Sequence, residues 1–275
     1  MTHLMPIDTV ISSILQPAAG TFGVAALQLE SHERLLINED EVFPSASVIK
    51  VPILVEVFCQ RDEGRLSLDE TVRLTDECKV DGSGVLKELH AGLEFSLLDL
   101  TTLMIVVSDN TATNMIIDRL GTDSVNQRMH AFGLKRTVLA RKMYDFEQAA
   151  LGKENLCTPR DIMLLLRLMA DGQISSKSTS IEMLEIMARQ QYRDKIPLYL
   201  PEDVKVANKT GSISGVTHDV AVVHVPGRPY ILCVMAKGVS DKIMADRAIA
   251  EVSRVVFEYF SSQDRPASET ATCRE

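Results

Sequence analysis

The sequence predicts an α/β (α+β) fold: one antiparallel, five-stranded sheet drawn from both ends of the chain, terminal helices flanking it, and an all-helical subdomain inserted between its halves. Three observations carry this. Alternating or β-branched runs stand at Thr21–Glu30, Arg34–Ile37, Val204–Thr210, His218–Val225 and Tyr230–Ala236, the period-two pattern of strands. From Val48 to about Ile196 the apolar spacing is helical. Helical patterns at the two ends are left to cover the sheet. The expected organisation is a single domain, with a sheet subdomain at 1–46 and 200–262, a helical subdomain at 47–199 and a polar, mobile tail at 263–275.

Taken in order, the first helix lies within Met1–Gly20 and puts Ile7, Val10, Ile11, Ile14 and Leu15 on one face. The first two strands meet at Ser31-His32-Glu33, a hairpin. Pro44 to Pro52 opens a run (Val48, Ile49, Val51, Ile53, Leu54, Val55, Val57, Phe58) that is apolar on every side, so its helix is buried. Pro52 lacks an N–H just past the first turn and predicts an irregular helix start. Ser96-x-x-Asp99 is a capping box opening a helix through Val107. A second helix runs from about Thr111 to Leu120 and stops at Gly121, with Ser108-Asp109-Asn110 between the two.

Leu134–Asn155 shows little periodicity and is long for a connection, which marks functional loops. Thr158-Pro159-Arg160-Asp161 then supplies an N-cap, a proline at the first helical position and an acid in the first turn. That helix ends at Gly172, and another covers about Ile181–Gln190. Pro226-Gly227-Arg228-Pro229 makes the second hairpin, and Asp241–Phe260 is the closing helix.

The 275 residues are 45% hydrophobic with a net charge of −9, enough for a real core and a poor match to non-specific nucleic-acid binding. No run approaches the roughly 18 apolar residues of a membrane span. The N-terminus lacks the basic start and apolar centre of a signal peptide. The expected location is therefore cytoplasmic, or periplasmic or secreted if a signal has been removed. Five scattered cysteines without a Cys-x-x-Cys point to reduced thiols. No histidine spacing implies a metal, and no cofactor is expected. A monomer is expected, with oligomers left open.

Chemistry concentrates at Ser47-x-x-Lys50. In a helix, residues three apart share a face, which sets the amine beside the hydroxyl. A lysine sunk in apolar surroundings loses affinity for its proton and becomes a base, which is what a serine nucleophile needs. The helix dipole at the same end favours developing negative charge. Two further motifs follow, Ser108-Asp109-Asn110 between helices and Lys209-Thr210-Gly211 at the end of a strand. Each alone is weak; in this order they are the set that marks class A β-lactamases and penicillin-binding proteins.

On these motifs the whole chain resembles the class A β-lactamase and penicillin-recognising serine hydrolase family. The resemblance implies an αβα sandwich with a helical insertion and a cleft between them. It implies that Ser47 is acylated, that Lys50 is its base or proton relay, and that Ser108 passes a proton to the leaving atom. Asn110 would hold a substrate amide, and Lys209 and Thr210 the substrate carboxylate. The backbone N–H groups of Ser47 and Ser212 would form the oxyanion hole.

The chain departs from the family in two places. Aligning Arg141 with the arginine that begins the family's loop motif puts Met143 where the water-activating glutamate belongs. The next acids are Asp145 and Glu147. Glu147 is the candidate base if the loop takes another path; the competing reading of both is an exposed carboxylate that caps or pairs locally. Asn155 stands where the aspartate partner of Arg141 is expected, which leaves the loop's fold open. His218-Asp219 follows the third motif where family members often offer an arginine; His218 either replaces that cation or is simply hydrogen-bonded.

The leading expectation is a serine hydrolase that opens β-lactams through an acyl-enzyme, with slow deacylation. A D-Ala carboxypeptidase, peptidase or esterase on the same scaffold is the alternative. A non-hydrolysing β-lactam-binding protein is a third. The partner is in each case a small β-lactam, peptide or ester, with neither nucleic acid nor membrane.

Overall fold

The computed structural model describes residues 5–262; the expected tail at 263–275 lies outside the described residues. Along the chain come α1 (Ile7–Leu15), β1 (Thr21–Gln28), β2 (Arg34–Ile37), β3 (Phe43–Pro44), α2 (Lys50–Asp62), β4 (Thr71–Arg73) and β5 (Glu94–Ser96). The middle continues with α3 (Leu97–Val106), α4 (Asn110–Leu120), α5 (Thr122–Ala131), α6 (Phe146–Ala150), β6 (Leu156–Cys157), α7 (Pro159–Ala170) and α8 (Lys177–Ala188). The chain returns to strand as β7 (Lys205–Ile213), β8 (Val216–His224) and β9 (Tyr230–Lys237), then closes with α9 (Lys242–Ser262).

The five-stranded antiparallel sheet has the order β2-β1-β9-β8-β7. The first two strands join the last three through β1 and β9, with Thr21 opposite Lys237 and Gln28 opposite Tyr230. Because side chains alternate along a strand, each strand feeds two cores. Val24, Ala26, Leu232 and Val234 pack with α1 and α9 residues such as Ile11, Leu15, Ile249 and Val256. Ala25, Leu27, Ile231 and Cys233 face the helices of the middle segment.

At the centre of that second core lies α2, whose residues from Lys50 to Gln60 are all buried. Each aliphatic side chain there contributes about 1.5–3 kcal/mol, so the helix that carries the first motif is held rigidly from every side. Its start is irregular as the sequence requires: Ala46–Ile49 form a 3-10 turn before the α-helix begins. The capping box of Ser96 and Asp99 closes the N-terminus of α3, and Thr158 caps α7 with Pro159 at its first position.

The small strands are where sequence reading fell short. β3 pairs with β6, and β4 with β5; all but β3 lie inside the segment whose period reads as helical. Two or three residues cannot express a period of two; these ladders form because neighbouring helices bring the segments together. The polar helix α5, with only Val125 and Met129 buried, was likewise hidden by a weak apolar stripe. Lys209-Thr210-Gly211 does not end its strand but lies inside β7, which runs on to Ile213. Cys59, Cys78, Cys157 and Cys233 are free thiols. Among the described residues no helix is long and apolar enough to cross a membrane.

Candidate active site

Where β7 faces the start of α2 and the loop from 141 to 155, a cavity of about 310 Å³ opens. Ser47, Asn110 and Ser212 line it, together with Ser83, Arg141, Met143, Tyr144 and Glu154. Ser47 occupies the 3-10 turn, with three residues per turn, so Ser47 and Lys50 fall on one face. Gly211 is what lets β7 approach this turn. A Cβ there would lie 3.2 Å from the Ser45 carbonyl oxygen and 3.2 Å from Val48 Cγ2, closer than ordinary contact, so a larger residue in the third motif would press on the turn that carries the first.

The Lys50 amine is buried and makes its hydrogen bonds behind the cavity wall. Nζ donates to the Ser108 carbonyl at 2.7 Å, to Asn110 Oδ1 at 2.8 Å and to Ser108 Oγ at 3.1 Å. None of these goes to Ser47, so the expected pairing of amine and serine hydroxyl is a shared face without a hydrogen bond. Lys209, also buried, reaches the same Ser108 Oγ at 3.1 Å and the Thr210 carbonyl at 2.8 Å. Burial, then the charge of Lys209, holds the Lys50 proton affinity well below the ordinary lysine range. Burial pushes Lys209 down to about 7, opposed by the negative charge of Asp219.

The middle motif is built by its aspartate. Asp109 caps α4 by accepting from Ala112 N at 2.8 Å through Oδ1, while Oδ2 accepts from Val85 N at 2.6 Å and Leu86 N at 2.9 Å. Ser108 is thereby held at φ +54°, a left-handed conformation that L-residues avoid. Ala46 (φ +44°) and Tyr144 (φ +63°) share that conformation. Ala46 and Tyr144 line the cleft and Ser108 lies behind its wall, places where local strain fixes functional groups. Asn110 donates Nδ2 to the Asp81 carbonyl at 3.0 Å, which orients its amide.

The loop answers the two departures. Met143 is buried in the cavity wall, and its backbone is clasped on both sides by Asn114: N donates to Oδ1 at 2.8 Å, and O accepts from Nδ2 at 3.0 Å. Asp145 caps the short α6 by accepting from Gln148 N at 3.0 Å. Glu147 lies on α6, exposed to solvent and outside the cavity lining. The site therefore does not bring Glu147 to Ser47; a five-residue helix turns it outward.

Glu154, which sequence reading passed over, is the partner of Arg141 at 2.7 Å. The partner was sought at 155, but that position clasps the loop's neck instead. Asn155 Oδ1 accepts from Ala140 N at 2.7 Å and Arg141 N at 3.0 Å, and its Nδ2 donates to the Arg141 carbonyl at 3.0 Å. An ion pair one residue displaced leaves no motif to find.

His218 is not a substrate cation. It is buried, with Nε2 at 2.8 Å from the Pro44 carbonyl and Nδ1 accepting from Ala236 N at 3.1 Å. That pairing requires the neutral ring with its proton on Nε2, and burial lowers its proton affinity to about 4. Thr210 is buried beside Lys209 on β7.

Sheet, helical insertion and, at their junction, a cavity-lining serine with a buried lysine three residues on define a β-lactamase-like serine hydrolase. The chain belongs to the β-lactamase enzyme family, whose model matches residues 6–260. It is 24% identical over 265 residues to β-lactamase VEB-1 of Pseudomonas aeruginosa, covering 91% of this chain and 89% of that one. Among solved structures it is similar to PBP-A, with a TM-score of 0.87 and 32% identity over 94% of this chain and 97% of that one. It is also similar to an ancestral class A β-lactamase, with a TM-score of 0.86 and 28% identity over 92% of this chain and 100% of that one.

Proposed function

We propose that this protein opens β-lactams by acylation at Ser47 and clears the acyl group slowly. The observation that carries the reading is the convergence on one hydroxyl: the Lys50 and Lys209 amines both meet Ser108 Oγ behind the cavity that Ser47 lines. Lys50, its proton affinity lowered by burial, takes the Ser47 proton as Oγ attacks the lactam carbonyl. The proton crosses Ser108 to the departing lactam nitrogen as its bond to carbon breaks. Lys209, kept partly charged by Asp219, and Thr210 receive the substrate carboxylate. Asn110 holds the side-chain amide. The backbone N–H groups of Ser47 and Ser212 stabilise the tetrahedral oxyanion, where loss of one donor costs about a hundredfold or more.

Slow clearance follows from Met143. A thioether cannot accept the proton of an attacking water, Glu147 faces solvent, and Glu154, the acid in the cavity lining, is held in its ion pair with Arg141, so that water is left to Lys50 or Ser108. Acylation as the first step is supported by a similar structure, the Leu-to-Glu mutant of PBP-A solved as its acyl-enzyme with penicillin G. The test is intact mass spectrometry with a fluorescent penicillin. A single adduct that maps to Ser47, is absent in Ser47→Ala and decays over minutes to hours is the expected result. Labelling of the Ser47→Ala protein would sink the reading.

A further inference from the structure

We propose that Gln190 is a positioning residue for proton transfer through Ser108: it splices the end of α3 to the segment 190–192, which in turn is tied to β7, so that the Ser108 hydroxyl stands where Lys209 meets it. This rests on acylation at Ser47 with Ser108 as the proton path, and adds a residue that touches neither substrate nor the reacting atoms. Gln190 lies two residues past α8 and is 2% exposed. Its Nε2 donates to the Ile105 carbonyl at 2.7 Å, and its Oε1 accepts from Tyr192 N at 3.0 Å. One buried amide thus holds the helix that leads into Ser108 with one end and the segment beside it with the other.

The last carbonyls of a helix have no partner within it. At the end of α3 three in a row are met from 190–192: Ile105 by Gln190 Nε2, Val106 by Gln191 N at 3.0 Å, and Val107 by the Tyr192 hydroxyl at 3.4 Å. The next residue is Ser108, held at positive φ. On its far side the segment reaches the sheet, where Asn208 Nδ2 donates to the Tyr192 carbonyl at 3.4 Å. Asn208 is buried, donates also to Asp219 Oδ1 at 3.1 Å, and directly precedes Lys209 in β7. A ring of contacts closes: Ser108 Oγ and Lys209 Nζ meet at 3.1 Å in front, with α3, Gln190, Tyr192 and Asn208 behind. Asp109 fixes the same turn through Ala112, Val85 and Leu86, and none of those three bonds reaches β7. The spacing between the hydroxyl and the strand amine is therefore set from the Gln190 side.

The test is a double-mutant cycle on acylation rates with a fluorescent penicillin, comparing Gln190→Met with and without Ser108→Ala. Methionine keeps the length of the side chain and removes both bonds. In the parent background it is expected to slow acylation about tenfold to a hundredfold, the scale of a small misplacement. In the Ser108→Ala background it is expected to cost about twofold or less, because the group it positions is gone. Equal slowing in both backgrounds, the mark of a general loosening, overturns the proposal, and so does an unchanged rate in Gln190→Met. Gln190→Glu gives a second readout that stands even if the methionine variant does not fold. Its protonated carboxyl donates to Ile105 and accepts from Tyr192 as the amide does, whereas the ionised form has no proton to donate. Its rate relative to the parent at the same pH is expected to climb toward one as pH is lowered from about 9 to about 6. A low ratio that does not move with pH overturns the role of the donated bond. No adduct on the folded parent protein would sink the acylation reading and this one with it.

Discussion

Lys50 and Lys209 share one hydroxyl: each Nζ lies 3.1 Å from Ser108 Oγ, although the two lysines come from a helix and a strand at opposite ends of the sequence. A hydroxyl has one proton and two lone pairs. Between two amines, one of them neutral, it can donate to the neutral one and accept from the charged one, which makes it a short proton path.

Ser108→Ala breaks that path while leaving Lys50 its bonds to the residue 108 carbonyl and to Asn110 Oδ1. The expected loss in acylation rate is about 10²–10⁴-fold, the range of a general acid–base group. Melting temperature should change little, since a small side chain is replaced by a smaller one without a new unpaired charge. Stopped-flow acylation beside thermal unfolding measures both.

The buried amines also set a pH dependence of stability. The folded protein gives up the Lys209 proton near pH 7, whereas the unfolded chain keeps it to 10.5. Over that window the unfolded state binds more protons, so stability rises with pH; below it both states are protonated and the desolvation penalty is carried in full. Lys50 acts with the same sign. Asp219, raised by burial to about 6, and His218, lowered to about 4, act with opposite signs between pH 4 and 6 and largely offset. Denaturant unfolding between pH 7 and 8 is expected to show the rise, with a shallower slope in Lys209→Met; toward pH 10 the thiols of Cys59, Cys157 and Cys233, whose pKa burial raises, lose protons only in the unfolded chain and turn the slope downward.

How much of this was legible in the chain differs from residue to residue. Ser47 and Lys50 could be read because their spacing and their all-apolar helix state both position and environment. The five long strands could be read because each is long enough to alternate. The Arg141–Glu154 pair could not, because any acid within reach of a loop neck satisfies an arginine and spacing in an irregular segment fixes nothing. Glu147 was misplaced for the same reason: α6 has five residues, too few for an apolar stripe to reveal which way its acid points. The tautomer of His218 depends on a carbonyl 174 residues away in sequence.

Met143→Glu should restore the missing base. The backbone at 143 is fixed from both sides by Asn114, so the new carboxylate enters the wall that methionine now fills. Acylation is expected to change little, and the adduct's lifetime to fall at least about tenfold, within the range for a positioned base. The buried site makes this costly, about 1–3 kcal/mol of stability. Adduct decay by mass spectrometry, with the melting temperature alongside, checks both signs.

Asn155→Ala tests whether the loop's neck supports the nucleophile. The side chain is buried and makes three hydrogen bonds, two of them accepted from the N–H groups of Ala140 and Arg141. Alanine leaves those donors unpaired, at about 1–3 kcal/mol each. The same residue's carbonyl accepts from Ser45 N at 2.7 Å, two positions before Ser47, so loosening at 155 passes directly to the turn that aims the serine. The expected result is a lower melting temperature and faster hydrogen exchange across 140–155, with a slower acylation rate. Asn155→Asp keeps the two acceptor bonds but sets a carboxylate oxygen against the Arg141 carbonyl in place of a donor. It should fall between the parent and the alanine variant, and a loss equal to alanine's would show that the donated bond, not the accepted pair, holds the neck closed.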